Sequence, residues 1–193
     1  MAARRASEEG LTLEGLEVRP ASRSEVPALE TLIRASVVGL AGADYSPQQL
    51  DSALRHLFGV DTRLIDDGTY FVVLEAGRPV GCGGWSRRRT LFGGDRYEDR
   101  ADDDLDPGKD AARIRAFFVH PDAARKGIGR MLLERCEQAA RAAGFVRLEL
   151  MATLSGIPLY ERCGFERAES LDLKLPDGVI FPLVRMSRSL RVP

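Results

Sequence analysis

From Ile128 to Arg141, the apolar residues Ile128, Met131, Leu132, Cys136, Ala139 and Ala140 recur at helical spacing, while Arg130, Glu134, Arg135, Glu137, Gln138 and Arg141 fall mostly elsewhere. One apolar stripe on a charged helix predicts an amphipathic helix packed on a core. Gly144 suits its C-terminal stop, and Val146 to Met151 then alternates as a half-buried strand. Before this helix, Arg113 to His120 is a β-type run that stops at His120-Pro121; after the strand comes LYERCGF, Leu159 to Phe165. Pro158 has no N–H to donate and fits the first turn of a short helix carrying Tyr160.

The same patterning predicts a strand at Leu16 to Pro20 and a helix capped by Ser22 or Ser24 and running to about Val38, with Glu25 and Pro27 in its first turn. A second helix is expected from Pro47 to Phe58 on the stripe Leu50, Leu54, Leu57 and Phe58. Thr69 to Glu75 and Pro79 to Ser86 read as a hairpin turning at Ala76-Gly77-Arg78. Glu166 to Leu175 and Val179 to Ser187 read as another around Pro176-Asp177-Gly178. Met1 to Gly15 is polar and rich in small residues, and is expected to be a flexible tail before a domain spanning 16–193.

Chemistry enters at the strand-to-helix junction, where Gly127-Ile128-Gly129 follows Arg125-Lys126 and precedes Arg130. Glycines let several backbone N–H groups approach one ligand, and the opening helix adds unsatisfied donors and its positive dipole end. The arginines and lysine add mobile positive charge, so the segment suits a phosphate or diphosphate. A Walker-type loop would need Ser or Thr after Gly-Lys, whereas Gly129 is followed by Arg130-Met131; a dinucleotide fingerprint would want a small residue where Leu132 stands.

The succession FFVHP, RKGIGR with its helix, a strand, and then LYERCGF resembles the GNAT superfamily of N-acetyltransferases, over a core of about Ile114 to Glu166. The resemblance implies a single α/β (α+β) domain with a mixed, mostly antiparallel central sheet flanked by helices. It implies acetyl-CoA as co-substrate, with no metal, and a small-molecule or protein amine as acceptor; family members often pair as homodimers. The implied coenzyme contacts are Phe117, Phe118 and Val119 through main chain, Arg125, Lys126, Gly127, Ile128, Gly129 and Arg130 around the diphosphate, and Thr153. Tyr160 is the implied general acid to the departing thiolate. Ala124 stands where the usual loop begins with Gln or Arg, and Thr153 stands about where an Asn is frequent; backbone donors do most of the cradling, so binding is expected to survive. A non-catalytic acyl-CoA sensor using the same pocket is the alternative.

Ionisation sets the demands of that chemistry. With ordinary values of ~10 for tyrosine and ~8.5 for a thiol, complete proton transfer from Tyr160 is uphill by about 2 kcal/mol. A lysine-like amine near ~10.4 is only about one part in 2,500 neutral at pH 7, so something must take a proton. Glu149 alternates with Arg147 and Met151 on one face of its strand and is one candidate; a surface ion pair for Glu149, and a water chain as base, are the other readings, and the base stays unassigned. For the oxyanion the expected donor is the backbone N–H of Val119 or a close neighbour, since strand residues near a bulge can aim a donor at a carbonyl.

Composition narrows the setting. A chain of 193 residues, 44% hydrophobic and 30% charged, can bury one ordinary globular core. Its net charge of -1 gives no footprint for nucleic acid. No apolar run is long enough to span a membrane or form a signal core, so the protein is expected to act in the cytoplasm, away from membranes. Cys82, Cys136 and Cys163 are expected to be buried free thiols. The stretch Arg87 to Ala112, with its three arginines and the run Asp102-Asp103-Asp104, is expected as a charged insertion. Its carboxylates either attract a cationic acceptor or are simply solvated.

Overall fold

A computed structural model of the chain describes residues 15–98, 101 and 103–190; the tail expected at 1–15 therefore falls, apart from Gly15, outside the described residues. A seven-stranded sheet runs in the order β1-β2-β3-β4-β5-β7-β6, with β1 Leu16–Pro20, β2 Tyr70–Glu75, β3 Arg78–Ser86, β4 Ala112–Val119, β5 Arg147–Thr153, β6 Glu166–Lys174 and β7 Ile180–Ser189. All neighbouring pairs are antiparallel except β4 with β5. This is the mixed, mostly antiparallel sheet that the resemblance implied, and it is open.

Helices cover both faces, and β2 explains why. Its run YFVVL is buried throughout, as a strand sandwiched between two layers requires. Phe71 and Val73 join one core with the helix α4 (Ile128–Ala142) and Tyr160. Tyr70, Val72 and Leu74 join the other, with α1 (Val26–Leu40) and α2 (Pro47–His56). A short α3, Thr62–Asp66, was not expected: five residues are too few for a periodicity to register, although Asp61 caps it by accepting from the Arg63 N–H at 3.2 Å. Tyr160 rides on α5, Ile157–Arg162, which opens after a 3-10 turn with Pro158 at its start. Cys82 and Cys136 are buried as expected; Cys163, at the end of α5, is only half-buried.

The sheet has one weak seam. Parallel β4 and β5 pair only at Ala112↔Leu148 and Arg113↔Glu149, after which the strands diverge, while β5 continues to pair with β7 as far as Thr153↔Leu183. The register between β3 and β4 also slips between Cys82 and Gly84, so that Ala116 and Phe117 face the single Gly83. Ala116 takes a left-handed φ of 55° there. Divergence and bulge together open a cleft between the two halves of the sheet.

Candidate active site

The cleft encloses a cavity of about 80 Å³ with Phe117, Phe118, Met151, Thr153 and Tyr160 among its walls. Alternation around the bulge splits its aromatic lining. The Phe117 ring lies 6.4 Å from that of Tyr160, whereas Phe118 packs 5.6 Å from Phe58 on the opposite face. Tyr160 is 8% exposed, and its hydroxyl finds no hydrogen-bond partner among the described residues. Burial pushes its phenol well up from the ordinary range, so it enters any reaction protonated.

Two residues missed in the sequence hold the bulge and the end of β5. The Tyr70 hydroxyl donates to the Ala116 carbonyl at 3.2 Å. In a trans peptide this turns the Phe117 N–H away from Tyr70. The Tyr45 hydroxyl donates to the Pro182 carbonyl and accepts from the Leu154 N–H, both at 2.8 Å. It thus ties the segment after α1 to β7 and the end of β5. Burial raises its phenol to about 12. Tyr45 lies in a loop and gives no periodic signal, and Tyr70 reads only as a core residue of β2, so the tertiary fold alone discloses either role.

Of the expected oxyanion donors, Val119 and its close neighbours, the first is engaged. The Val119 N–H is already bonded to Ser36 Oγ of α1 at 3.2 Å, and the bulge lies at Ala116, three residues earlier. Glu149 is likewise committed: it takes the Arg113 Nη1 hydrogen bond and lies 3.6 Å from Arg185 Nε. Thr153 lines the cavity with its hydroxyl 3.2 Å from that of Ser155. His120 is structural, its Nδ1 accepting from the Asp122 N–H at 3.2 Å in the turn that ends β4.

At the other end of the cleft, Arg125 and Gly127 both adopt left-handed φ values, 66° and 83°. Such alternation turns successive N–H groups to one side as an anion-binding nest. Gly127 is the N-cap of α4 without a side-chain cap, and the first bond back to it comes from the Met131 N–H. The N–H groups of Ile128, Gly129 and Arg130 therefore carry no intrahelical partner. A diphosphate fits this arrangement through charge and donor count alike. Gly129 itself serves packing: a Cβ there would come within 2.8 Å of Leu159 on α5. Lys126 and Arg130 are exposed and hold carboxylates, Glu75 at 3.0 Å and Glu134 at 2.8 Å.

The segment between β3 and β4 divides its labour. Asp103 and Asp104 lie 3.7 and 3.6 Å from Arg89 and Arg87 of the same segment, and Asp102 lies outside the described residues. Arg88 is held by Asp67 at 2.8 and 2.9 Å. These pairs account for the three arginines and for Asp103 and Asp104. Leu91 to Gly94, by contrast, wall the cleft. That wall is anchored by the Gly94 N–H on the Leu57 carbonyl at 3.0 Å, and by Arg115, which donates to the Gly93 carbonyl and lies 2.7 Å from buried Asp61. Among the described residues no group of His, Cys, Asp and Glu side chains could hold a metal. No helix there is long and apolar enough to cross a membrane.

Residues 35–165, which contain the splayed β4–β5 cleft, the nest at the head of α4 and the buried tyrosine, match the acetyltransferase (GNAT) family. The chain belongs to that family, whose co-substrate is acetyl-CoA. It is 31% identical over 113 residues to an IAA acetyltransferase of Azospirillum brasilense, covering 57% of this chain and 62% of that relative. The fold is that of a GCN5-related N-acetyltransferase from Rhodopseudomonas palustris (TM-score 0.68, 20% identity, 93% of this chain and 99% of that one). It is also that of the PaiA N-acetyltransferase from Thermoplasma acidophilum in complex with coenzyme A (0.61, 16%, 91% and 99%).

Proposed function

We propose that this protein transfers an acetyl group from acetyl-CoA to a primary amine by direct attack. The observation that carries the reading is that the uncapped α4 N-terminus, with its left-handed approach, packs at Gly129 against Leu159 of α5, the helix that sets Tyr160 in the cleft wall. Gly127 to Arg130 would hold the diphosphate, and the cleft edge of β4 the pantetheine arm; Ser36 gives up the Val119 N–H as that arm enters. Acetyl-CoA supplies an activated thioester.

In this reading the amine nitrogen bonds to the carbonyl carbon, the oxyanion is met by a backbone donor of the bulge, the Phe117 N–H in place of Val119, and the C–S bond then breaks. The sulfur takes a hydrogen bond, and then the proton, from Tyr160. Burial disfavours phenolate and thiolate alike, so Tyr160 remains the weaker acid and acts first as a donor. The proton shed by the amine leaves to water, which also restores the phenol.

Replacing Tyr160 with Phe is the test. We expect kcat for thiol release to fall by about 10²-fold or more, with coenzyme A affinity by calorimetry unchanged within about twofold. Absence of coenzyme A binding by the native protein would falsify the reading, and equal turnover in Y160F would remove the acid from Tyr160.

A further inference from the structure

Two arginines, with Glu149 between them, stand next to residues that line the acceptor end of the cleft. Arg113 on β4 and Glu149 on β5 are register partners, and Arg185 on β7 stands opposite Met151, a cavity residue. Strand alternation places Arg113 with Arg115, and Glu149 with Met151 and Thr153, on the face that carries α1, α2 and the Leu91–Gly94 wall. Thr153 is four residues beyond Glu149, a span of about 13 Å at ~3.3 Å per residue. The arginine pair thus lies at the joined end of the strands, across the cleft from Thr153 and Tyr160.

Two guanidiniums share one inward carboxylate there. Glu149 takes Arg113 on one oxygen and faces Arg185 at 3.6 Å on the other, while the second carboxylate of Arg185, Glu169 at 3.3 Å, is 62% exposed. The Nε–H groups of Arg113 and of Arg185 are both buried without a hydrogen-bond partner, although the Arg113 side chain is only 13% exposed. Guanidinium presents a planar fork of donors matched to a carboxylate. Between this fork and Tyr160 the lining is mostly apolar, with Leu57, Phe58, Phe92, Ile114 and Met151, while the guanidinium of Arg115, also there, is held by Asp61 and the Gly93 carbonyl. Asp103 and Asp104, turned to their own arginines, are not part of it.

We propose that the acceptor is an amino acid whose amine and carboxylate stand at opposite ends of an apolar body, and that Arg185, with Arg113, receives the carboxylate while the amine meets the thioester beside Tyr160. This rests on the acetyl-transfer reading above. Arg185 is a specificity determinant in this scheme, and Arg113 backs it from beneath.

The experiment measures thiol release with 4-(aminomethyl)benzoate and 6-aminohexanoate against the methyl ester of the first and the amide of the second, alongside coenzyme A calorimetry. The native protein should use each acid at least tenfold more efficiently than its neutral counterpart. Arg185→Gln should raise KM for the acids about tenfold and leave KM for ester and amide unchanged. Arg185→Lys should recover part of the loss, since it keeps the charge but not the fork. Equal use of acid and ester by the native protein, or no turnover of either acid while coenzyme A still binds, overturns the carboxylate assignment and leaves the donor site standing. Loss of coenzyme A binding itself would overturn both.

Discussion

Arg115 and Asp61 form an ion pair with side-chain exposures of 3% and 0% at 2.7 Å, and their burial decides what a substitution there does. Taking one charge away leaves the other in a low-dielectric interior, which costs about 3–5 kcal/mol, whereas replacing both can be nearly neutral. Arg115→Met should therefore lower stability by about that amount in urea titrations, and Arg115→Met with Asp61→Asn should recover much of it. A single-variant loss under about 1 kcal/mol would contradict the pairing. Because Arg115 also holds the Gly93 carbonyl, the single variant should loosen the cleft wall and raise the acceptor KM as well. None of this is legible in ARIRAFFV read alone: alternation tells which residues share a face, but not that the partner arrives from α3, some fifty residues earlier in the chain.

At the scale of elements, the junction between β1 and α1 is built as the sequence suggested, by Ser22 and Glu25. The Glu25 carboxylate accepts from the Ser22 N–H at 2.9 Å and from Arg19 at 2.8 and 2.9 Å. The Arg19 hydrogen bonds, opposed by partial burial and helped by Ser22, hold its carboxyl down at about 2. A depressed carboxyl stabilises the fold above its unfolded value of ~4.3 and loses that contribution as pH falls toward 2. Glu25→Gln, which keeps an acceptor for the Ser22 N–H but loses the ion pair with Arg19, should thus cost about 1–2 kcal/mol at pH 7, and little near pH 2. Equal stability gaps at the two pH values, read by denaturant titration, would refute the linkage. Elements with local signals were legible in this way: caps, proline-led turns, the stripe of α4 and the hairpins all fell close to their predicted bounds. The site was half legible, because glycines and Tyr160 carry their chemistry in local sequence. The bulge at Ala116, by contrast, depends on β3, Tyr70 and Gly83 brought from elsewhere, which is why the sequence narrows the donor no further than Val119 or a close neighbour.

Taken whole, the molecule is two sheet halves, β1 to β4 and β5 to β7, joined between β4 and β5 by the pairings of Ala112 and Arg113 alone. Elsewhere the halves meet through side chains, α4 and the Tyr45 tether. A ligand lying along the open edge of β4 would restore some of the backbone partners that divergence removes, and would contact residues of both halves at Phe117, Thr153 and Tyr160. Binding to the folded state alone stabilises it by about 2.7 kcal/mol at a free concentration one hundred times Kd. For a chain of this size about 2–4 °C accompany each kcal/mol, so coenzyme A at that concentration should raise Tm by roughly 5–11 °C. Because Ser36 and not β5 now holds the Val119 N–H, amide exchange should slow most at Phe117 to Val119, with little change in β1 or β6, which lie far along the sheet from the seam. Uniform slowing over all strands, or a Tm shift without protection at β4, would mean that the coenzyme binds somewhere other than the cleft.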